Sequence, residues 1–228
     1  MNGFILYKGI TNGQRFVVIA TGFNRASSNI KTGDMIQIWI LLVDQSPVAG
    51  IQSGLDALTI CIGCPFSSGN GCYVNLGQAP LAVWKAYNNG SYAPLEDYSV
   101  FQDREVRFGA YGNPSLLPLR IVKAIRRRAG KTTGYFHDWK ANQKAKKYNR
   151  YFMASTDTLA SLEEAKSQGL RVFHSSRNKP LGKFTTCLNV TRGKTCAECG
   201  ICNGGHGPDI WVPLHGSGAK KAFQLINN

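Results

Sequence analysis

The stretch from residue 105 to residue 176 constrains the fold most, because it alternates two hydrophobic periods. EVRFGAYG (105–112) has the β-branched and aromatic content of a strand. Pro114 and Ser115 then open a helical pattern, SLLPLRIVKAIRRRAG (115–130), which Gly130 closes. KTTGYFHDW (131–139) and YFMASTD (151–157) are two further strands. LASLEEAKSQG (159–169) is a helix ended by Gly169, and LRVFHSS (170–176) is a fourth strand. Strand and helix repeated at this spacing predict crossover connections and a parallel sheet.

The flanks add to this frame. RFVVIATG (15–22) and MIQIWILLV (35–43) are strands separated by the turn-forming NRASSNIKTGD (24–34). SPVAGIQSGLDAL (46–58) is a short helix or turn, and APLAVWKAYNNGS (79–91) is a helix stopped by Asn-Asn-Gly. DIWVPLHG (209–216) is a last strand candidate. The expectation is an α/β fold: a partial barrel or open, mostly parallel sheet with N-terminal β-strands and two cysteine-rich metal-binding segments. It forms one compact domain in four stretches: the β-rich 1–60, a first cysteine group and helix in 61–104, the βαβ repeats in 105–180, and a second cysteine group and strand in 181–228. At 228 residues the chain is long enough for one good core.

The seven cysteines fall in two groups. Cys61, Cys64 and Cys72 are spaced C-x2-C-x7-C, and Cys187, Cys196, Cys199 and Cys202 are spaced C-x8-C-x2-C-x2-C. MNGFILYKGITNG lacks a basic segment ahead of an apolar one, so no secretory leader is expected and the thiols should stay reduced. Clustered Cys-x-x-Cys pairs then predict metal ligands rather than disulfides. Four thiolates in the second group can close a tetrahedral zinc site or hold a 4Fe–4S cluster. Three in the first leave two readings: a zinc site completed by His174, His206 or another ligand, or an iron–sulfur cluster with one iron open. Iron–sulfur is placed ahead of zinc.

Charge supplies the second theme. Lys and Arg number 27 against 13 acids, a net charge of +14, which favours polyanionic partners. Arg120, Lys123, Arg126, Arg127, Arg128, Lys131, Lys140, Lys144, Lys146, Lys147 and Arg150 crowd into 120–150, where Asp138 is the one acid. Arg120, Lys123 and Arg127 share a helix face. Tyr135, Phe136, Trp139, Tyr148 and Tyr151 lie among them, a mixture suited to single-stranded nucleic acid, DNA or RNA. The alternative is an ordinary solvated helix face over core aromatics. No apolar run reaches eighteen residues, so no membrane span is expected. His137, Asp138 and Asp157 stand at strand C-terminal ends, where α/β sheets carry catalytic groups. Walker A, dinucleotide, HExxH and GxSxG motifs are absent.

Several stretches, among them KTGDMIQIWIL (31–41), CIGCPFSSGNGCYVNLGQAPLAVWKAY (61–87), TGYFHDW (133–139), FMASTDT (152–158) and TTCLNVTRGKTCAECGIC (185–202), resemble an uncharacterised family of cysteine-rich proteins of bacteriophages and mobile elements. The resemblance implies a phage origin and work in the cytoplasm of a bacterial host. More faintly, three cysteines, the last followed by Tyr73, ahead of strand–helix units resemble radical-SAM-type partial barrels. That similarity implies a 4Fe–4S cluster on Cys61, Cys64 and Cys72 whose open iron takes S-adenosylmethionine. The spacing departs from that superfamily's C-x3-C-x2-C. Three functions follow as expectations. The first is a metal-cluster protein that binds or processes nucleic acid in replication or host takeover. The second is a radical-type enzyme, and the third a zinc-stapled protein that docks on a host protein.

Overall fold

The computed structural model describes residues 2–24, 29–67, 71–214 and 219–226. The chain opens with β1 (Gly3–Thr11), β2 (Gln14–Thr21) and β3 (Ile36–Leu42). Asn12 and Gly13 join the first two strands with positive φ at both positions, the geometry a tight hairpin needs to follow the strand twist. Short helices α1 (Pro47–Gln52) and α2 (Leu55–Leu58) follow, then α3 (Ala79–Asn88) and the two-residue β4 (Ala93–Pro94). The alternating part runs β5 (Val106–Tyr111), α4 (Leu119–Arg126), β6 (Thr132–Phe136), α5 (Ala145–Tyr148), β7 (Met153–Thr156), α6 (Leu159–Ser167) and β8 (Val172–Ser176). The chain ends with β9 (Phe184–Thr186), α7 (Leu188–Arg192), α8 (Cys196–Cys199), β10 (Asp209–Pro213) and α9 (Ala219–Ile226).

All ten strands belong to one open sheet, ordered β4-β1-β2-β3-β5-β6-β7-β8-β10-β9. The β1–β2 and β2–β3 pairs are antiparallel, and every other pair is parallel. The expected α/β class and mostly parallel sheet are therefore present, and the sheet does not close. β3 is buried along its whole length, as its unbroken apolar run requires of a strand covered on both faces. α4 turns Ile121, Val122 and Ile125 into the core, and α6 lies on β7 and β8.

Two differences from the sequence reading have local causes. The helix expected over 115–130 is shorter, because Pro118 lacks an N–H and sits at its N-terminal cap; Pro114–Leu116 form a separate 3-10 turn. The last strand ends at Pro213, and residues 215 and 216 of the expected strand lie outside the described residues. β10 also enters between β8 and β9, so the strand order at this edge is not the chain order.

The register sorts side chains onto two faces, since alternate residues of a strand point to opposite sides. Arg107 pairs with Thr133, Tyr135 with Met153, and Ser155 with Phe173, so Arg107, Tyr135 and Phe173 share a face. Tyr135 and Phe173 are two strands apart, a lateral spacing of roughly 9.5 Å. Their rings nevertheless stack with centroids 4.5 Å apart and planes within 10°. The two long side chains lean together over Ser155 of β7, so Arg107, Tyr135 and Phe173 lie on one face of the open sheet, its concave face.

Candidate functional site

The first cysteine group follows β3, the first strand of the parallel set, and sits over the C-terminal ends of its neighbours. Gly63 lies so close to the β6 end that a Cβ there would stand 2.6 Å from the His137 carbonyl oxygen, and its φ of +80° suits glycine. The Cys61 N–H donates to the Asp56 carbonyl at 2.7 Å, and the Cys64 N–H to the Cys61 carbonyl at 3.0 Å. Cys61 is within electrostatic reach of Cys64, Cys72, Asp56 and Tyr111, and the Tyr111 hydroxyl at the β5 end donates to Asp56. Asp157, just beyond β7, acts on Cys64. The first group therefore caps β5, β6 and β7 at the end of the sheet where α/β folds place their chemistry.

The second group lines a small recess on the same concave face. Cys187, Cys196, Cys199 and Cys202 surround it with Thr133 and Thr195, enclosing about 20 Å³. The Gly134 N–H donates to the Cys202 carbonyl at 2.9 Å, tying the loop to β6. Thr195 and Glu198 cap α8 reciprocally, fixing the turn that carries Cys196 and Cys199. Arg171 binds the outgoing strand of the loop: its guanidinium donates to the carbonyls of Ile201, Gly204 and Pro208 and to Asn203 Oδ1. Lys131 donates its ammonium to the carbonyls of Ala197 and Glu198.

All seven cysteines are free thiols. Burial pushes the Cys64 thiol up to about 12; burial with neighbouring thiols raises Cys61, Cys196 and Cys202, and burial with the nearby Asp56 raises Cys72. Thiols so placed stay protonated at neutral pH and are poor nucleophiles unless a cation draws off the proton. Among the described residues no group of three or more His, Cys, Asp or Glu side chains is arranged so as to hold a metal ion. The donor chemistry of the second group fits a metal, since four thiols line one recess. Binding would draw the sulfurs in from the positions they hold here.

The other expected site residues separate clearly. His137 follows the β6 end; its Nδ1 is buried without a partner, and burial lowers its pKa to about 4. Asp138 is held by Ser115 Oγ at 2.8 Å and Asn142 Nδ2 at 2.9 Å, and the N–H groups of Ala141 and Asn142 donate to its carbonyl, a turn-closing arrangement. Asp157 faces Ser161 at the start of α6, with burial raising its pKa. His174 is on the face of the sheet opposite the concave one, where its Nδ1 meets Thr156 Oγ1 at 2.9 Å, so it cannot complete a cysteine site. His206 is exposed on the loop after the second group.

The basic segment divides as well. Arg120, Lys123, Arg127, Lys144, Lys146, Lys147 and Arg150 are exposed, whereas Arg126 and Arg128 are half-buried. Lys140 pairs with Glu164 at 2.7 Å, and Lys131 is held by the second cysteine loop. The aromatics expected among these cations are elsewhere. Phe136, Trp139 and Tyr148 belong to the core, and Tyr135 faces the concavity. The aromatics thus follow the alternative reading, a solvated basic face over core aromatics, with Tyr151 packed against the same core.

Sequence reasoning missed Arg107, which lies between the two cysteine groups. It is within electrostatic reach of Tyr73 beside the first and of Cys196 in the second. Its signal was a cation in the middle of the apolar strand VRFGAY. Asp56 was missed too. It is buried, accepts a hydrogen bond from Tyr111, and has its pKa raised to about 6 by burial. No family model, curated protein or solved structure matches the chain.

Proposed function

We propose that the protein is a metal-cluster enzyme of radical-SAM type whose chemistry takes place on the concave face of the sheet. The observation that carries this reading is the position of Cys61, Cys64 and Cys72. They follow the first strand of the parallel set and cap the C-terminal ends of β5, β6 and β7. Three thiolates in such a loop suit a 4Fe–4S cluster with one iron open. Cys61, Cys64 and Cys72 would hold such a cluster, which, given one electron from dithionite, would supply the reductive cleavage of S-adenosylmethionine. The chain's part is to hold and shield. Tyr111 and Asp56 fix the base of the triad, and Tyr73, Tyr135 and Phe173 wall the concavity. The quartet Cys187, Cys196, Cys199 and Cys202 takes a single tetrahedral ion such as zinc, for which its four thiols lining one recess supply the full ligand set.

The test is metal analysis of protein purified without oxygen, followed by assay for 5′-deoxyadenosine after reduction. We expect about four irons and about one zinc per chain. Cys72→Ala should abolish iron and 5′-deoxyadenosine while keeping zinc. Zinc without iron, or a reduced iron-loaded protein that makes no 5′-deoxyadenosine, would refute the enzyme reading.

A second reading concerns the partner. Arg120, Lys123 and Arg127 are exposed on α4, and no carboxylate pairs with them among the described residues. With a net charge of +14 this row supports contact with a nucleic-acid backbone. In a bacterial host, as the phage resemblance implies, DNA or RNA would then carry or recruit the substrate.

A further inference from the structure

The charged and titratable groups of the concave face are not equally used. Arg104 donates to the carbonyls of Gly22 and Phe23 and faces Asp34. Arg171 is spent on four acceptors of the second cysteine loop. Arg107 differs from both. No carboxylate lies within salt-bridge distance of it among the described residues, and its one recorded side-chain hydrogen bond runs from Nη2 to Tyr135 Oη at 3.4 Å. A guanidinium carries five donors in a planar fork, so most of them remain open. Tyr135 Oη lies 3.1 Å from Tyr73 Oη; one of these hydroxyls donates to the other, which leaves the second O–H free to aim elsewhere.

The open N–H groups of Arg107 and one free phenol O–H therefore meet at one place, backed by the Tyr135–Phe173 stack, and the place is reachable. Tyr73 keeps 55% of its surface exposed although other residues surround it, as a side chain lining an open concavity does. A half-sunk cation with spare donors and two phenols beside it is complementary to an oxyanion, and Arg is the side chain that grips phosphate by two parallel bonds.

We infer that Arg107, Tyr135 and Tyr73 form a phosphate-binding site on the concave face, which takes the phosphate of a nucleotide substrate. The phosphate can belong to a free mononucleotide or to the end of an oligonucleotide. The inference names a substrate class for the face on which the proposed enzyme acts. It rests on that reading for the word substrate alone; the anion site stands on its own geometry.

The experiment is calorimetric titration of the folded full chain with three probes: inorganic phosphate, a nucleoside 5′-monophosphate and a 5′-phosphorylated trinucleotide. It is run on metal-loaded and metal-stripped protein. Arg107→Gln should weaken nucleotide binding at least about tenfold, and Tyr135→Phe about three- to tenfold, the scale of charge-assisted and neutral hydrogen bonds. Arg107→Lys should restore part of the loss, which guards against misfolding as the cause. The outer-surface variant Arg120→Gln should leave mononucleotide affinity unchanged. Tight mononucleotide binding assigns a free nucleotide; binding by the trinucleotide alone assigns a chain end. Two results would overturn the site: no phosphate-bearing probe binds the wild type, or Arg107→Gln binds as the wild type does. Metal-stripped protein that still binds nucleotide through Arg107 upholds the site even if the cluster reading fails, so the two failures are told apart.

Discussion

His174 in β8 and His137 just past the end of β6 are both held neutral by burial. For His174 the ring sits against Thr156, and its pKa falls from 6.5 to about 4. Above pH 6.5 the imidazole is neutral in both folded and unfolded chains. Between 6.5 and about 4 the unfolded chain binds a proton that the folded chain refuses, so stability falls as the pH drops through this window. The loss for one such histidine is at most about 3 kcal/mol. His174→Gln should flatten part of this acid limb; His137 acts in the same sense, and Asp56, whose carboxyl pKa burial raises to about 6, acts in the opposite one. Urea unfolding at pH 7, 5.5 and 4.5 measures it. A slope identical to the wild type would mean that His174 is not held neutral by its surroundings.

At the level of elements, two glycines hold the cysteine loops on the sheet. A Cβ at Gly204 would stand 2.5 Å from the Phe152 amide nitrogen and 2.6 Å from the Asn149 carbonyl oxygen, with φ at +68°. Gly204→Ala should cost at least about 2 kcal/mol and reduce zinc retention by the quartet while leaving iron at the triad. Gly63→Ala should do the reverse, because its Cβ meets the His137 carbonyl under the first loop. Metal counts on the two variants check both. If each loses both metals, the loops do not act as separate anchors. Much of this element plan is legible in the sequence. The strand–helix rhythm from 105 to 176 is carried by local hydrophobic period, and β5, β6, β7, α6 and β8 appear where that rhythm puts them. The short β9 is not legible, since FTT has too few residues to show a period. Nor is the meeting of Arg107 with Tyr135 and Tyr73, because it depends on sheet curvature, which no local pattern encodes. The basic stretch misleads for a related reason: Trp139 and Tyr148 stand beside lysines in sequence, but their rings are buried in the core, and Lys140 Nζ, 5.3 Å from the Trp139 ring centroid, rests against one of them.

For the whole molecule the charge balance sets behaviour at long range. A net charge of +14 with an exposed Arg120, Lys123 and Arg127 predicts nucleic-acid binding that weakens steeply with salt. Changing these three to Glu should lower the slope of log affinity against log salt by about 2 to 3, with little effect on stability, as each is solvated. Filter binding of duplex DNA and of RNA across a salt series measures it, and an unchanged slope would move the polyanion surface elsewhere. Among the described residues no helix is long and apolar enough to cross a membrane.

The strand order at the far edge carries a consequence for how the protein is made. β9 is synthesised before β10 but pairs only with it, and the Cys187 N–H donates to the Trp211 carbonyl of β10 at 2.8 Å. The first sulfur of the quartet is thus aligned by a strand that leaves the ribosome some twenty residues later. The nascent chain can finish the N-terminal hairpin and the Cys61–Cys72 loop early, but the quartet has to wait for the C-terminal segment. Alignment of the quartet is in effect a late step of folding, and a chain lacking β10 would leave Cys187 without the strand that positions it beside the other three thiols.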